Sequence, residues 1–225
     1  MVKAVIFDLD GVITDTAELH YQAWKNLANS IAIDFNREFN EELKGISRMD
    51  SLNKILQHGG VADQYTEEEK LELATKKNEE YKGLLIHLKP ENIYPGIKEF
   101  LNALKQSNIK IGLASASKNG PAILDYLQIT DYFDTIADPD SVINGKPAPD
   151  IFLKAAEQLG VSPQDCIGVE DSEAGIEAIQ SANMYAVGVG TVEVMRKAGA
   201  DLVLADTTEL VWDQLQEAFT AKVNG

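Results

Sequence analysis

Six short apolar runs recur along the chain. They lie at residues 2–7, 109–114, 134–137, 166–170, 185–189 and 201–204. Runs of this length are typical of strands that are buried on both faces of a parallel sheet. The later runs alternate with segments of helical periodicity, such as Ile97–Leu104 and Ile151–Leu159. The pattern predicts an α/β fold with a doubly wound parallel sheet as its core.

The interval between the first two runs has a different pattern. From about Thr16 to about Pro90 the periodicity is helical throughout, and no strand-like run occurs. Ser47–Asp50 and Thr66–Glu69 match helix-start patterns, whereas Val61–Gln64 resembles a loop. This interval therefore predicts an inserted helical unit.

We expect two domains on this basis. The α/β core comprises residues 1–15 and 93–225, and a helical cap comprises residues 16–92. The linkers, near Thr14–Thr16 and Lys89–Pro95, would allow the cap to close over the core as a rigid body and exclude water.

Composition and charge narrow the classes of function. Of 225 residues, 44% are hydrophobic, which is ample for a core, and the net charge of −16 argues against nucleic acid or an anionic membrane as partner. The single cysteine, Cys166, lies in an apolar run and predicts a buried thiol in a reducing compartment. No apolar stretch reaches 18 residues, so we expect a cytoplasmic protein, and nothing in the chain demands more than a monomer. A phosphate site would have to gather the few cations available, for which the candidates are Lys44, Arg48, Lys77, Lys118 and Lys146.

Candidate chemistry is concentrated where the apolar runs end. The first run ends in Asp8 and Asp10, and in an α/β sheet such positions face the ligand crevice. Two carboxylates there suit a divalent cation, although an Asp-x-Asp pair after a strand is more often a turn or a helix cap. Ser115 and Glu170-Asp171 end later runs, and Lys146 lies in the loop Gly-Lys-Pro-Ala-Pro-Asp150. Taken singly, the serine and the acids could begin helices and the lysine could be a solvated charge.

In their order along the chain, these four features resemble the signatures of the haloacid dehalogenase superfamily of phosphotransferases. The resemblance implies that Asp8 is a phosphoryl-accepting nucleophile and that Asp10 is a general acid and base. It also implies one Mg²⁺ held by Asp8, the backbone carbonyl of Asp10, Asp171 and, as a further ligand, Glu170. Ser115 and Lys146 would complete the charge cradle around the phosphoryl group.

Three cap segments are similar to those of one family in particular, the β-phosphoglucomutases. They are Thr14–His20 with Trp24 one helical turn later, the loop Leu43–Arg48, and Lys77-Asn78. The resemblance implies that Thr16, His20 and Lys77 bring Asp10 into place, and that Arg48 grips the phosphate distal to the metal. The residues implied to bind substrate are Asp10, Trp24, Gly45, Ile46, Ser47, Arg48, Lys77, Asn78, Ser115, Ala116, Ser117, Lys118, Asn119 and Lys146.

Some of these residues can also be interpreted from the pattern itself. Asn78 lies on a helical stripe where an apolar side chain is expected, so it needs a polar partner, either substrate or a neighbouring backbone group. The other members of that stripe are Leu71, Ala74, Tyr81, Leu85 and Leu88. Trp24 fits a core anchor as well as a sugar contact. The loop Ser115–Asn119 can offer several backbone amides to one phosphate or can be an ordinary polar connection.

The resemblance implies a mutase. It would interconvert β-glucose 1-phosphate and β-glucose 6-phosphate through an aspartyl phosphate and a glucose 1,6-bisphosphate intermediate, which also primes the enzyme. The alternatives are a sugar-phosphate phosphatase on the same scaffold and a catalytically silent sugar-phosphate sensor. A sensor has no need of a nucleophile at Asp8.

Overall fold

The computed structural model describes residues 1–43 and 45–224, so the candidate cation Lys44 lies outside the described residues. Strands and helices alternate as the sequence pattern predicts. The strands are β1 (Ala4–Phe7), β2 (Lys110–Leu113), β3 (Thr135–Ile136), β4 (Cys166–Glu170), β5 (Tyr185–Val189) and β6 (Leu202–Leu204). The helices are α1 (Ala17–Ser30), α2 (Arg37–Glu41), α3 (Arg48–His58), α4 (Glu67–Leu85), α5 (Ile97–Gln106), α6 (Gly120–Tyr126), α7 (Asp150–Leu159), α8 (Glu173–Ser181), α9 (Val192–Lys197) and α10 (Trp212–Asn224).

The predicted parallel sheet is confirmed. Its strand order is β3-β2-β1-β4-β5-β6, and every neighbouring pair is parallel. The chain builds one half of the sheet from β1 to β3 and then returns to the other side of β1 to build the second half. This reversal between β1 and β4 creates the crevice in which doubly wound folds bind ligands.

The sheet is buried on both faces. Successive side chains of a strand point to opposite faces, so Val5 and Phe7 of β1 join one apolar cluster while Ala4 and Ile6 join the other. All four are fully buried. Such burial explains why the strands are continuous apolar runs and do not alternate with polar residues. Cys166, at the start of β4, is buried, and burial raises the pKa of its thiol to about 12.

Helices α1 to α4 lie between β1 and β2 in the chain and surround an apolar cluster of their own. Ser47 caps α3, and Thr66 with Glu69 forms a capping box at the start of α4, as the sequence predicts. The linkers are held side by side, because Thr14 Oγ1 donates to the carbonyl oxygen of Asn92 at 2.7 Å. The domain boundaries at 15/16 and 92/93 stay a prediction, and these paired linkers are consistent with it.

Two details of the helical region differ from the sequence prediction. Residues Ala62–Gln64 form a short 3-10 turn within the predicted loop. Leu71, placed on the buried stripe of α4, is 60% exposed, whereas Ala74, Tyr81 and Leu85 are buried. The stripe turns away from the apolar cluster at Leu71 and faces the cleft between the two parts of the molecule. Among the described residues no helix combines the length and apolarity needed to cross a membrane.

Candidate active site

The candidate residues of the core meet at one edge of the sheet. Asp8 follows β1, Ser115 follows β2, and Glu170 ends β4. Because β2 and β4 are the two neighbours of β1, the carboxyl ends of these three strands are adjacent. The fold therefore gathers side chains that lie 55 to 162 positions apart in the chain.

Lys146 joins the two buried carboxylates. Its Nζ donates to Asp8 Oδ1 at 2.5 Å and to Glu170 Oε1 at 2.7 Å, and all three side chains are buried. Burial favours the neutral lysine, but the two carboxylates outweigh it and the pKa of Lys146 is raised. Burial raises the pKa of Asp8 to about 7, although Lys146 opposes the shift. The Lys146-Pro147 peptide bond is cis.

Glu170 is held rigidly by protein donors. Its Oε2 accepts hydrogen bonds from the backbone N–H groups of Asp171 and Ser172, both at 2.8 Å, and from Ser172 Oγ at 2.9 Å. With Lys146 on Oε1, both carboxylate oxygens have donors. Glu170 therefore supplies fixed negative charge beneath the site and sets the position of Lys146.

Asp8, Glu170 and Asp171 form an acidic group suited to a hard cation. Each offers an oxygen, and these atoms lie within 4.8 Å of one another. Carboxylate oxygens are the protein ligands that Mg²⁺ prefers, so the residues fit the ion. Gly11 makes the arrangement possible, because its φ is +81° and a Cβ there would lie 1.9 Å from Asp171 Oδ2. The Asp10 side chain does not belong to this group; the predicted contribution of Asp10 is its backbone carbonyl.

Asp10 makes its contacts with the helical region. Its Oδ1 accepts a hydrogen bond from Thr16 Oγ1, and its Oδ2 lies 3.8 Å from His20 Nε2. Partial burial raises the pKa of the Asp10 carboxyl, which Thr16 and Lys77 oppose. The two aspartates thus have separate partners: Asp8 is bound to the core and Asp10 to the first helix of the inserted region.

A buried lysine supports His20 from behind. Lys77 Nζ lies 2.8 Å from His20 Nδ1, and the lysine is only 2% exposed. Burial and the adjacent Lys77 hold the pKa of His20 well below its usual value, so the ring is neutral. A neutral ring that accepts at Nδ1 carries its proton on Nε2, which faces Asp10. Lys77 also lies 4.6 Å from the ring centroid of Trp24, which is buried in the apolar cluster of the helical region.

The loop Ser115–Asn119 is internally bonded. Ser115 Oγ accepts from the backbone N–H of Ser117 at 3.0 Å, and Ser117 Oγ accepts from that of Asn119 at 3.3 Å. Lys118 forms an ion pair with Asp140. Asn119 Nδ2 donates to Asn78 Oδ1 at 3.0 Å, so the polar partner that Asn78 needs is a side chain of the core loop.

The loop Gly45–Arg48 approaches the core from the opposite side. Ser47 caps α3 and its hydroxyl donates to Asp50 Oδ2 at 2.5 Å, while Arg48 is half-buried at the first turn of the helix. A helix N-terminus and a guanidinium together favour an anion. A Cβ on Gly145 would lie 3.7 Å from Asp50 Oδ2, so this helix end also reaches the loop that carries Lys146.

A cavity of about 900 Å³ lies between the two parts of the molecule, within the size range of small-molecule sites. All fourteen residues predicted to bind substrate line it, and Asp8, His20 and Asp171 line it too. Thr16 and Glu170 do not line it, and each contacts it through a residue that does.

Several lining residues were not predicted from the sequence to belong to the site. Leu71 and Ile143 bring exposed apolar groups to the rim, and Tyr94 lies in the second linker with its backbone N–H donating to the Ile13 carbonyl oxygen at 2.9 Å. Ser172, behind the acidic group, was also missed. Its signal in the sequence was a serine at the start of a helix, a pattern too common to indicate function.

Known proteins resemble this chain in sequence and in fold. The family model of haloacid dehalogenase-like hydrolases matches residues 2–183. A β-phosphoglucomutase from Bacillus subtilis is 56% identical over 216 residues, which are 96% of this chain and 95% of the relative. A phosphorylated-carbohydrate phosphatase from Thermotoga maritima is 32% identical, over 81% of this chain and 82% of its own. The crystal structure of a β-phosphoglucomutase from Clostridium difficile superposes with a TM-score of 0.98 at 49% identity and covers both chains completely.

Proposed function

The chain belongs to the β-phosphoglucomutase family of haloacid dehalogenase-like proteins, and we propose that it interconverts β-glucose 1-phosphate and β-glucose 6-phosphate. The observation that carries the proposal is the separate attachment of the two aspartates. Asp8 is bound by Lys146 of the core, whereas Asp10 is bound by Thr16 and approached by His20 of the helical cap. A nucleophile fixed in the core and an acid/base group that depends on the cap make transfer conditional on closure.

Asp8 is the phosphoryl acceptor and donor. In the first half-reaction its aspartyl phosphate gives the phosphoryl group to the C6 hydroxyl of β-glucose 1-phosphate, and the phosphorus–oxygen bond to Asp8 breaks. Lys146 stays beside the released carboxylate and offsets its charge. Positioning and electrostatics of this kind carry most of phosphoryl-transfer catalysis.

Asp10 moves the proton. It takes the proton of the attacking C6 hydroxyl in the first half-reaction and returns one to the C1 oxygen that leaves in the second. The raised pKa of its carboxyl suits a group that must donate as well as accept. Positioned acid/base catalysis of this kind contributes about 10²–10⁴ in rate.

The intermediate is glucose 1,6-bisphosphate, which must turn around between half-reactions. Two anion sites are therefore required, and we assign them to Arg48 with the N-terminus of α3 and to the loop Ser115–Asn119. Both line the cavity. Asp8, Asp171, Glu170 and the Asp10 carbonyl would hold one Mg²⁺, which when bound neutralises charge on the phosphoryl oxygens.

The main alternative is a sugar-phosphate phosphatase, in which water resolves the aspartyl phosphate. The more distant relative from Thermotoga maritima carries that description, whereas the relative at 56% identity is a β-phosphoglucomutase. The cap contacts of the Gly45–Arg48 loop and of Asn78 also favour a closed cleft that excludes water during transfer.

One assay separates the two. The enzyme is supplied with β-glucose 1-phosphate, Mg²⁺ and a trace of the bisphosphate, and glucose 6-phosphate and inorganic phosphate are measured together. We expect glucose 6-phosphate to be the predominant product, and α-glucose 1-phosphate to give neither. Predominant phosphate release would establish the phosphatase. Asp8→Asn should abolish both products, and undiminished activity in that variant would refute the covalent mechanism.

A further inference from the structure

We propose that Ser172 is the residue on which the cap loop seats, and that it thereby positions the cap relative to the nucleophile. The proposal rests on the proposed function in one respect, namely that turnover requires a closed cap. Ser172 is a positioning residue here, because its side chain reaches the reacting atoms only through its neighbours.

The cap loop touches Ser172 closely. Gly45 has a φ of +73°, and a Cβ placed on it would lie 2.5 Å from Ser172 Oγ and 3.2 Å from Ser172 Cβ. Real side chains do not tolerate the shorter distance, so only glycine permits the loop to lie at this depth. The hydroxyl of Ser172 is consequently the surface on which the loop stops.

The Ser172 hydroxyl is itself immobilised. It donates to Glu170 Oε2 at 2.9 Å and accepts from the backbone N–H of Gly175 at 3.1 Å, and the residue is only 7% exposed. Two bonds in different directions fix its rotamer. A rigid contact surface is what a stop for a moving domain requires.

A continuous set of short contacts leads from this seat to the nucleophile. Glu170 accepts from Ser172 on one oxygen and from Lys146 on the other at 2.7 Å, and Lys146 donates to Asp8 at 2.5 Å. Glu170 therefore binds both Ser172, on which the cap loop rests, and Lys146, which binds Asp8. The position of the cap loop is fixed relative to the same carboxylate that positions Lys146. Helix capping alone would need the bond to Gly175 but neither the bond to Glu170 nor the approach of Gly45.

A double-mutant cycle tests the seat. Gly45→Ala has two effects. It places alanine in a left-handed backbone conformation, which is strained, and it brings the alanine Cβ into a clash with Ser172 Oγ; only the second effect depends on Ser172. We expect the loss of kcat/KM caused by Gly45→Ala to be about tenfold smaller in a Ser172→Ala background than in the wild-type background. Ser172→Gly also removes the Cβ and is tolerated at helix N-caps, so it should relieve the clash further.

A second readout needs no turnover. Amide hydrogen exchange of residues 45–48 in the free protein should speed up in Gly45→Ala and return toward the wild-type rate when Ser172→Ala or Ser172→Gly is added. Thr66→Ala, which removes an exposed N-cap hydroxyl from α4, is the matched control and should not couple to Gly45→Ala.

The outcomes are separable. Additive effects of the two substitutions in both readouts, in folded variants, would overturn the seat while leaving the mutase untouched. A protein that fails to convert β-glucose 1-phosphate but shows the coupling in hydrogen exchange would overturn the proposed function and leave the seat in place. If neither alanine nor glycine at 172 yields a folded chain, Gly45→Ala is compared with Gly60→Ala, where φ is +66° and an added Cβ meets nothing within 4 Å. A larger loss in the free energy of unfolding for Gly45→Ala supports the clash, and an equal loss refutes it.

Discussion

Asn78 of the helical cap and Asn119 of the core share a buried hydrogen bond, from Asn119 Nδ2 to Asn78 Oδ1 at 3.0 Å. The bond spans the cleft beside the loop Ser115–Asn119. It explains why a polar residue interrupts the buried stripe of α4, since its partner lies on the other domain. The bond therefore gives Asn119 Nδ2 and Asn78 Oδ1 a partner within the protein.

The Asn78–Asn119 bond should be measurable as a coupling energy. Asn78→Ala and Asn119→Ala each leave a buried partner unsatisfied, and each should lower the free energy of unfolding by about 1–3 kcal/mol. The double variant should lose less than the sum, by about 1 kcal/mol, in urea unfolding. Asn102→Ala removes an exposed bond to Tyr132 and serves as the control, with a change within about 0.5 kcal/mol. Strict additivity would mean that the bond contributes nothing.

Lys146 should be needed for the fold as well as for turnover. Lys146→Met leaves Asp8 and Glu170 buried without their cation, and breaking a buried ion pair in this way costs about 3–5 kcal/mol. We expect this loss at pH 8. Because the pKa of Asp8 is already about 7, protonation relieves the unpaired charge below that pH, and the loss should be smaller at pH 5.5.

Lys154→Met is the matched control for Lys146. Lys154 also pairs with a glutamate, Glu157, but both side chains are accessible to solvent. The control should change the free energy of unfolding by no more than about 0.5 kcal/mol at either pH. Equal effects of the two substitutions in chemical denaturation would show that the buried pair has no special role.

The lowered pKa of Lys77 predicts that stability depends on pH in a specific way. Burial, with Arg48 nearby, lowers the pKa of Lys77 from its ordinary 10.5 to about 7. Between pH 7 and 10.5 the unfolded chain binds a proton that the folded protein has released, so this group makes stability rise with pH across that window. Below pH 7 both states hold the proton and its contribution is constant.

Lys77→Met should remove that slope. Relative to the variant, the wild-type free energy of unfolding should rise by up to about 1.4 kcal/mol per pH unit between pH 7.5 and 9.5. Lys76→Met, at the exposed neighbouring position, should keep the wild-type slope. Denaturant titrations at three pH values suffice to measure the free energy of unfolding. If it changes with pH equally in wild type and in Lys77→Met, the lowered pKa of Lys77 is contradicted.

Mg²⁺ should stabilise the folded protein through the acidic group Asp8, Glu170 and Asp171. An ion that binds only the folded state at 100 times its Kd adds about 2.7 kcal/mol, which is observed as a higher Tm. A chelator should reverse the shift and stop turnover. Asp171→Asn should abolish the Mg²⁺-dependent shift, whereas Asp63→Asn, at an exposed position, should retain it. A shift that survives in Asp171→Asn would place the ion elsewhere.

Much of the fold could be predicted because the signals are local. Each strand of the described structure lies within one of the predicted apolar runs. The helix-start patterns at Ser47 and Thr66 begin helices as expected. Local signals are weaker where an element faces a cleft. Leu71 has the periodicity of a buried residue, yet its position on the rim of the cavity leaves it exposed. Periodicity reports which residues share a face and does not report what covers that face.

The sequence by itself determined the parallel sheet and the set of polar residues at its strand ends, because strand length, helix period and turn chemistry act over a few residues. It also determined that these residues meet, since the carboxyl ends of parallel strands lie at one edge. Only the tertiary structure decided which of these side chains contact one another. Lys146 lies between Asp8 and Glu170, and Gly45 rests on Ser172, because packing between distant segments sets distances that no local pattern records.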